Sequence, residues 1–357
     1  MRAAAWLVST AMLATASCAA RPTQRPTTAV AIRREPLVVD AGRLRLLVSI
    51  SRTAQIFHIV DQLSGWSQFS HAQYRNHPPP GTRGPREREL LAVHAALRAG
   101  RGWGGGFEQA FYVDDDLDAA ATSAVSRGLL TPDEVRIELT VLQHFAPLLD
   151  PFIAGSDARL RQFAQRLLSR PEALRALAGQ LAVFVQMDRP VLDVYAFLIA
   201  SPADRGSGGG MNGGRLTFEV PRIEASESTL MHEVLHAFLA LRRPDIDRAA
   251  ALGAGLDGET LEEGIAYALA PGIFNSHDGI DELARQIAED VASGRTLENT
   301  FLRYRRLAFE LRPPLVAALR DGTSLDAFLP VAVEAWARVR ERATREMVGG
   351  TSSAPPQ

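Results

Sequence analysis

The stretch from Leu230 to Leu241 constrains the fold more than any other part of the chain, because it is a nearly continuous apolar run that carries titratable groups. His232, Glu233 and His236 lie in it and form the pattern His-Glu-x-x-His. Apolar residues cover most sides of the helix that this stretch predicts, so we expect the helix to be buried. Buried imidazoles and carboxylates need partners, because burying them alone is energetically unfavourable. The stretch therefore predicts a polar centre inside the protein.

The spacing of the two histidines favours a metal site. Residues four positions apart lie on one face of a helix, so the imidazoles of His232 and His236 point the same way. Zn²⁺ binds neutral imidazole nitrogen well and takes about four ligands. Glu233 can accept a proton from a water molecule beside such a metal, as a general base does. The pattern predicts a hydrolase with Zn²⁺ as cofactor; the alternative is a pair of core histidines with ordinary hydrogen-bond partners.

A third metal ligand must come from another segment, and the acidic stretch around Glu262 and Glu263 is the best source. Leu261 and Ile265 mark the inner face of a second helix, which both glutamates border. These acids also suit a helix N-terminus, and Thr260 forms a capping-box pattern with Glu263. Three aspartates between the two helices are further oxygen donors of lower rank: Asp245, Asp247 and Asp257.

With this second helix the chain resembles the gluzincin group of zinc metallopeptidases, over the region from about Gly209 to Pro271. In the aminopeptidase branch of that group, the third ligand is the glutamate of a Glu-Gly-x-Ala segment on the helix after the active-site helix. The segment from Glu263 to Ala266 matches, so the resemblance implies Glu263 as the third ligand. It also implies a zincin-like catalytic core in which a small sheet flanks the active-site helix. Gly264 would let the two helices approach closely, since it lacks a Cβ.

The chain departs from related patterns at several positions. Leu239 and Arg242 stand where metzincins have a glycine and a third histidine, so that group is excluded. Tyr267 replaces the aspartate of the thermolysin-like pattern, so another acceptor must orient the ligand histidines. Gly209 to Asn212 resembles the Gly-x-Met-Glu-Asn loop of the aminopeptidase branch, but Asn212 replaces the glutamate that holds a substrate amino terminus. We therefore interpret this segment as a flexible glycine-rich turn.

The predicted function is hydrolysis of a peptide bond in a peptide or protein substrate. Glu233 acts as the general base, and Tyr267, one turn after Glu263, is predicted to stabilise the oxyanion. His277 and Tyr304 are the alternatives for that second role. Another class of function is an envelope binding protein that keeps the zincin fold but is catalytically inactive, and a third is a structural lipoprotein without a metal.

The amino terminus indicates export. Met1 and Arg2 precede an apolar stretch from Ala3 to about Ala16, which has the shape of a secretory signal and is too short to span a membrane. Leu13 to Cys18 resembles a bacterial lipobox. The resemblance implies a signal within residues 1–18, a lipid on Cys18 as the membrane attachment, and a location in the cell envelope. Ordinary signal cleavage, which would give a periplasmic or secreted protein, is the alternative.

Composition restricts the class of protein further. With a net charge of −2, nothing in the chain indicates binding to nucleic acid. Cys18 is the only cysteine, so no disulfide can form within the chain and the core must stabilise it unaided. We predict a predominantly helical α+β protein. Its expected parts are a tether at residues 19–35, a helical N-terminal subdomain at 36–205, the zincin-like core and C-terminal helices at 206–345, and a disordered tail at 346–357.

Local patterns predict the individual elements. Thr131 and Pro132 start a helix that continues towards Leu149, and further helices follow at residues 157–168 and 171–187. The apolar stretch from Ala178 to Ser201 is interpreted as a buried helix and a connector, and residues 215–221 alternate like a half-buried strand. Residues 242–258 form a connection. The histidines of the N-terminal half lack ligand spacing and are expected to be ordinary core or surface residues: His58, His71, His77, His94 and His144.

Overall fold

The computed structural model describes residues 35–350, apart from residues 68–69, 170, 206–207, 213, 224–226 and 270–279. The described chain is mostly helical and contains one five-stranded mixed sheet, so the predicted α+β class is confirmed. The predicted export signal, Cys18 and nearly all of the tether lie outside the described residues, as does His277. Among the helices that the structure describes, none has an apolar stretch long enough to cross a bilayer.

The sheet has the strand order β1-β2-β3-β5-β4. Its members are β1 (Leu37–Ala41), β2 (Leu44–Ser49), β3 (Leu192–Ala200), β4 (Gly209–Asn212) and β5 (Arg215–Val220). The outer pairs β1–β2 and β4–β5 are antiparallel, whereas β3 runs parallel to both β2 and β5. Strand β3 is therefore central, and β4 forms one edge.

Strand β3 corrects one prediction, because the stretch from Ala178 to Ser201 was expected to be a helix and a connector. The helix ends at Phe184, and the second part of the stretch is the central strand. The last five residues of β3 are all buried, so its sequence reads as a continuous apolar run without a clear period of two. Such a run is compatible with a buried helix as well as with a parallel strand covered on both faces.

Helices of the first half of the chain precede β3. They are α1 (Arg52–Ser64), α2 (Ala72–Asn76), α3 (Pro85–Arg98), α4 (Gly106–Phe111), α5 (Leu117–Ser126), α6 (Pro132–Leu168) and α7 (Pro171–Phe184). Helix α6 begins where the sequence predicts, with a capping box between Thr131 and Glu134. It continues through Pro147 and Pro151, so two predicted helices are one. Its buried apolar stripe extends across both prolines, and this packing offsets the backbone hydrogen bonds that they remove.

The helices of the second half are α8 (Glu227–Leu239), α9 (Arg243–Ala250), α10 (Gly258–Leu269), α11 (Ile280–Ala292), α12 (Thr300–Arg320) and α13 (Leu325–Gly350). Helix α9 lies inside the predicted connection. Helix α12 continues as one helix through Pro313 and Pro314. Helix α13 extends to Gly350, five residues into the predicted disordered tail, and residues 351–357 lie outside the described residues.

Strand β3 lies between two apolar cores, because successive side chains of a strand point to opposite faces. Phe197 and Ile199 belong to the core formed with α1 to α5 and the first part of α6. Ala196 and Leu198 belong to the core formed with the rest of α6 and helices α7 to α13. Helices thus cover both faces of the sheet, and the two predicted subdomains both contribute strands to it.

Candidate metal centre

Helix α8 carries both histidines of the His-Glu-x-x-His pattern on one face. Leu230, Val234 and Leu235 are fully buried and fix the rotation of the helix in the core. The rings of His232 and His236 then meet edge to face with their centroids 4.8 Å apart. Their Nε2 atoms are 3.1 Å apart, so the two nitrogens that face away from the helix converge on one point.

Helix α10 brings Glu263 to the same point. One carboxylate oxygen of Glu263 lies 3.2 Å from Nε2 of His232, and the other lies 3.5 Å from Nε2 of His236. Gly264, the next residue, sits against α12 and not against α8: a Cβ there would lie 2.6 Å from Cδ2 of Leu307. The glycine therefore allows the close approach of α10 to α12, which corrects the predicted partner helix.

The donor set fits a zinc ion. The ligand atoms of His232, His236 and Glu263 all lie within 4.8 Å of one another. Around a tetrahedral zinc with bonds of about 2.1 Å, neighbouring ligand atoms are about 3.4 Å apart. The two Nε2 atoms are 3.1 Å apart, close to this value, and each lies 3.2 or 3.5 Å from a different one of the two oxygens of Glu263, of which one would be the ligand atom. Two imidazoles and one carboxylate also match the ligand set of catalytic zinc sites, which leave a further position open.

Glu262 lies on the other side of His236 and contacts a different nitrogen of its ring from Glu263. Its Oε1 accepts a hydrogen bond from Nδ1 of His236 at 2.7 Å, and its second oxygen pairs with Arg243. A proton held on Nδ1 leaves Nε2 as a lone-pair donor towards His232 and Glu263. Glu262 is therefore the acceptor that orients the ring of His236, and the sequence offered no candidate for such an acceptor.

The lower-ranked aspartates are engaged elsewhere. Asp245 pairs with Arg242 and Arg248, and Asp247 pairs with Arg243. Asp257 accepts from the backbone N–H of Thr260 and caps the start of α10. Their oxygens therefore stabilise the segment between α8 and α10 and do not join the cluster of three.

Glu233 is a buried carboxylate beside the cluster, with 7% of its surface exposed. Burial raises the pKa of Glu233, and His232 and His236 oppose this effect without cancelling it. A carboxylate with a raised pKa is a better proton acceptor near neutral pH. Strand β4 passes so close that a Cβ on Gly209 would lie 2.8 Å from Cγ of Glu233.

Two tyrosines approach the cluster from α10 and α12. The ring of Tyr267 packs against His232 with centroids 4.6 Å apart. Burial and the charge of Glu263 raise the pKa of Tyr267, so its hydroxyl remains a neutral hydrogen-bond donor. The hydroxyl of Tyr304 donates to Glu259 and is committed to that contact. Of these two tyrosines, Tyr267 is better placed for the predicted role of stabilising an oxyanion.

Asn212 and its glycine-rich segment differ from the sequence interpretation. The segment is strand β4, paired with β5, and not a flexible turn. The side-chain amide of Asn212 donates to Oγ1 of Thr217 at 3.1 Å and to the carbonyl of Gly210 at 3.3 Å. Asn212 therefore braces the β4–β5 hairpin, and its buried amide is not presented to a substrate amino group.

Sequence reasoning missed a second polar group, centred on Glu219. The pairing of Glu219 with Ile199 places it on the face of β5 that points towards α1. Nε2 of His58 lies 2.8 Å and Nδ1 of His71 lies 2.6 Å from its Oε1, and the amide of Gln73 donates to its other oxygen. Burial alone would raise the pKa of Glu219, but His71 and His58 lower it to about 2.

A signal for this group was present in the sequence. Residues 215–220 alternate, and Glu219 falls on the face opposite Leu216 and Phe218. A glutamate at an inner position of a strand covered on both faces requires partners, and histidines of the N-terminal half were the available ones. Because β3 was not predicted to be a strand, nothing indicated that both faces of β5 are covered by other parts of the chain.

Comparisons were made with protein-family models, with curated proteins and with solved structures. None of the three finds a match for this chain.

Proposed function

We propose that this protein is a zinc-dependent peptidase with a zincin-like catalytic core. The observation that carries the proposal is the convergence of ligand atoms from His232, His236 and Glu263 within 4.8 Å. Glu233, the residue suited to act as general base, is buried directly beside them. The resemblance of this region to gluzincins supports the same assignment.

Each residue has a defined task in this proposal. His232, His236 and Glu263 would hold the zinc ion, and Glu262 keeps the proton of His236 on Nδ1. A zinc ion bound there would polarise the scissile carbonyl and make a water molecule more acidic. Glu233 takes a proton from the attacking water and passes it to the departing amine. Tyr267 donates a hydrogen bond to the carbonyl oxygen as charge develops on it.

The position of β4 supports a peptide as the substrate. It is the edge strand on the side of Glu233, so its outer backbone groups have no neighbouring strand among the described residues. An extended peptide can add to such an edge through main-chain hydrogen bonds. Gly209 and Gly210 present no side chains there, which leaves room for a substrate backbone.

The test combines metal analysis with a quenched-fluorescent peptide library. We expect about one zinc per chain in the purified protein and cleavage of library peptides. Glu233→Gln keeps the shape of the side chain but removes the base, so zinc should stay bound while kcat falls at least about 1000-fold. Glu227→Gln is the matched control on the same helix, since Glu227 pairs with Arg166, and it should retain wild-type turnover.

Three outcomes would contradict the proposal. Unchanged turnover in Glu233→Gln would remove Glu233 from the mechanism. Stoichiometric zinc with no cleavage of any library peptide would instead select the catalytically inactive binding protein that keeps the zincin fold. Absence of zinc from the purified protein would favour the structural lipoprotein.

We also propose that the protein is exported and attached to the cell envelope by a lipid on Cys18. The proposal rests on the apolar stretch before Cys18 and on the lipobox-like residues around it. Mass spectrometry of the mature amino terminus tests it: a diacylated cysteine is expected, and an unmodified terminus elsewhere would indicate ordinary signal cleavage.

A further inference from the structure

The polar group around Glu219 lies directly behind the start of β4. A Cβ on Gly208 would lie 2.3 Å from Cε1 of His71 and 2.6 Å from Oε2 of Glu219. A Cβ on the next residue, Gly209, would lie 2.8 Å from Cγ of Glu233. Two consecutive glycines therefore separate the His71–Glu219 pair from the general base by little more than one backbone.

Electrostatic coupling agrees with this proximity. Burial lowers the pKa of His71, but the charges of Glu219 and Glu233 raise it above its ordinary value. The imidazole that Glu219 holds thus keeps its proton more readily than an ordinary histidine.

His71 differs from His58 in that one of its ring nitrogens has no partner among the described residues. His58 uses both nitrogens, with Nε2 at 2.8 Å from Glu219 and Nδ1 at 3.0 Å from the hydroxyl of Tyr112. Nδ1 of His71 is bonded to Glu219, whereas its Nε2 makes no hydrogen bond to any residue in the described part of the chain. The side chain of His71 is 29% exposed and that of His58 only 3%, so of these two histidines His71 is the one that solvent or a bound molecule can contact.

We propose that His71 is a catalytic residue of this site, whose Nε2–H donates a hydrogen bond to the oxygen of the scissile carbonyl. This inference rests on the proposed peptidase function. The proton stays on the ring, and the hydrogen bond strengthens as the carbonyl oxygen gains charge. Glu219 is the positioning residue, because its bond to Nδ1 fixes the ring and stabilises the protonated form. The helices of the first half of the chain would then supply a catalytic group as well as cover one face of the sheet.

The charge of the pair favours a carbonyl oxygen over a free carboxylate as the partner. A protonated His71 beside an ionised Glu219 has no net charge, so the pair offers a directed donor and little attraction for an anion. Preorganised donors of this kind act mainly on the transition state, in which the oxygen becomes negative.

Two substitutions of His71 distinguish the roles of its two ring nitrogens. In His71→Asn the amide nitrogen stands near the place of Nδ1, so it can still donate to Glu219 but not to the substrate. In His71→Gln the longer side chain puts an amide nitrogen near the place of Nε2. With the peptide cleaved fastest in the library, we expect kcat of H71N to fall about 100-fold with KM within about threefold. H71Q should recover at least about a tenth of wild-type kcat.

A second measurement does not depend on turnover. A phosphinic peptide of the same sequence carries a tetrahedral, negatively charged group in place of the scissile amide. Its affinity, measured by calorimetry, should fall about 100-fold in H71N, while zinc content and melting temperature match those of the wild type. His144→Asn is the control, since His144 is a partly exposed histidine held by Glu87 at 2.7 Å, and it should leave both measurements unchanged.

The outcomes distinguish this inference from the proposed function. Wild-type kcat and analogue affinity in H71N overturn the role of His71 and leave the peptidase proposal standing. Equal losses in H71N and H71Q, or loss of zinc in H71N, indicate a structural role and overturn it too. A zinc-loaded wild type that cleaves no peptide overturns both proposals together.

Discussion

At the scale of single residues, two adjacent glutamates show that the contacts of a side chain depend on the rotation of its helix about the helix axis. Glu262 and Glu263 both border the inner face of α10, and sequence patterns alone left either one as the third ligand. The phase of α10 relative to α8 directs Glu263 to both Nε2 atoms and Glu262 to Nδ1 of His236. That phase is set by packing against α12, which no local pattern encodes.

This division of tasks predicts the order in which substitutions weaken zinc binding. In the proposed zinc site, Glu263→Gln removes a ligand, whereas Glu262→Gln leaves all three ligands and weakens only the acceptor for His236. Changes in such an orienting partner reduce metal affinity about 10- to 100-fold, so E262Q should fall in that range and E263Q should fall further. Competition with a chromogenic chelator measures both. The reverse order would assign Glu262 as the ligand.

At the scale of elements, the sequence predicted those whose signals are local. The capping box of α6, the alternation of β5 and the apolar run of α8 each lie within one segment. Strand β3 was misinterpreted because its apolar run becomes a strand only through pairing with β2 and β5. The closeness of His71 and Glu233 to consecutive glycines could not be predicted either, since it depends on how the chain at Gly208 and Gly209 passes between them.

The packing of α10 on α12 gives a prediction about stability. A Cβ at Gly264 would lie 2.6 Å from Cδ2 and 2.7 Å from Cγ of Leu307, so Gly264→Ala must push the two helices apart. Overpacking of this kind costs about 1–3 kcal/mol. In α7, a Cβ on Gly179 would meet no atom within 4 Å, so Gly179→Ala should stabilise by about 0.5–1 kcal/mol. Urea unfolding measures both free energies, and similar effects of the two changes would contradict the packing argument.

At the scale of the whole molecule, a buried ionic network ties the first helical layer together. Nδ1 of His94 lies 2.9 Å from Glu138, and its Nε2 lies 3.1 Å from Asp61. Arg98 extends the network by pairing with Asp61 and Glu108. These side chains have no exposed surface and come from α1, α3, α4 and α6, so they link four helices in the layer that also holds His58 and His71.

The network makes the stability of the protein depend on pH through His94. Burial lowers the pKa of His94, but Glu138 and Asp61 outweigh it and raise the pKa from 6.5 to about 9. A raised folded-state pKa contributes its full stabilisation below the unfolded value and loses it as the pH rises through the folded value. The free energy of unfolding should therefore decline between pH 6.5 and about 9, with a contribution from His94 of up to about 3 kcal/mol.

His94→Gln isolates this contribution, because glutamine can donate to one of the carboxylates but does not titrate near neutral pH. The variant should be less stable than the wild type at pH 6, and the difference should shrink towards pH 9.5 as the wild type loses its proton. His144→Gln removes a histidine that is paired with one carboxylate at the surface of the same layer, so it should leave the pH dependence of the wild type in place. Urea unfolding at a series of pH values gives the curves. Parallel curves for the wild type and H94Q would mean that His94 is not charged in the folded protein, and the four helices would then be held by hydrogen bonds between neutral groups.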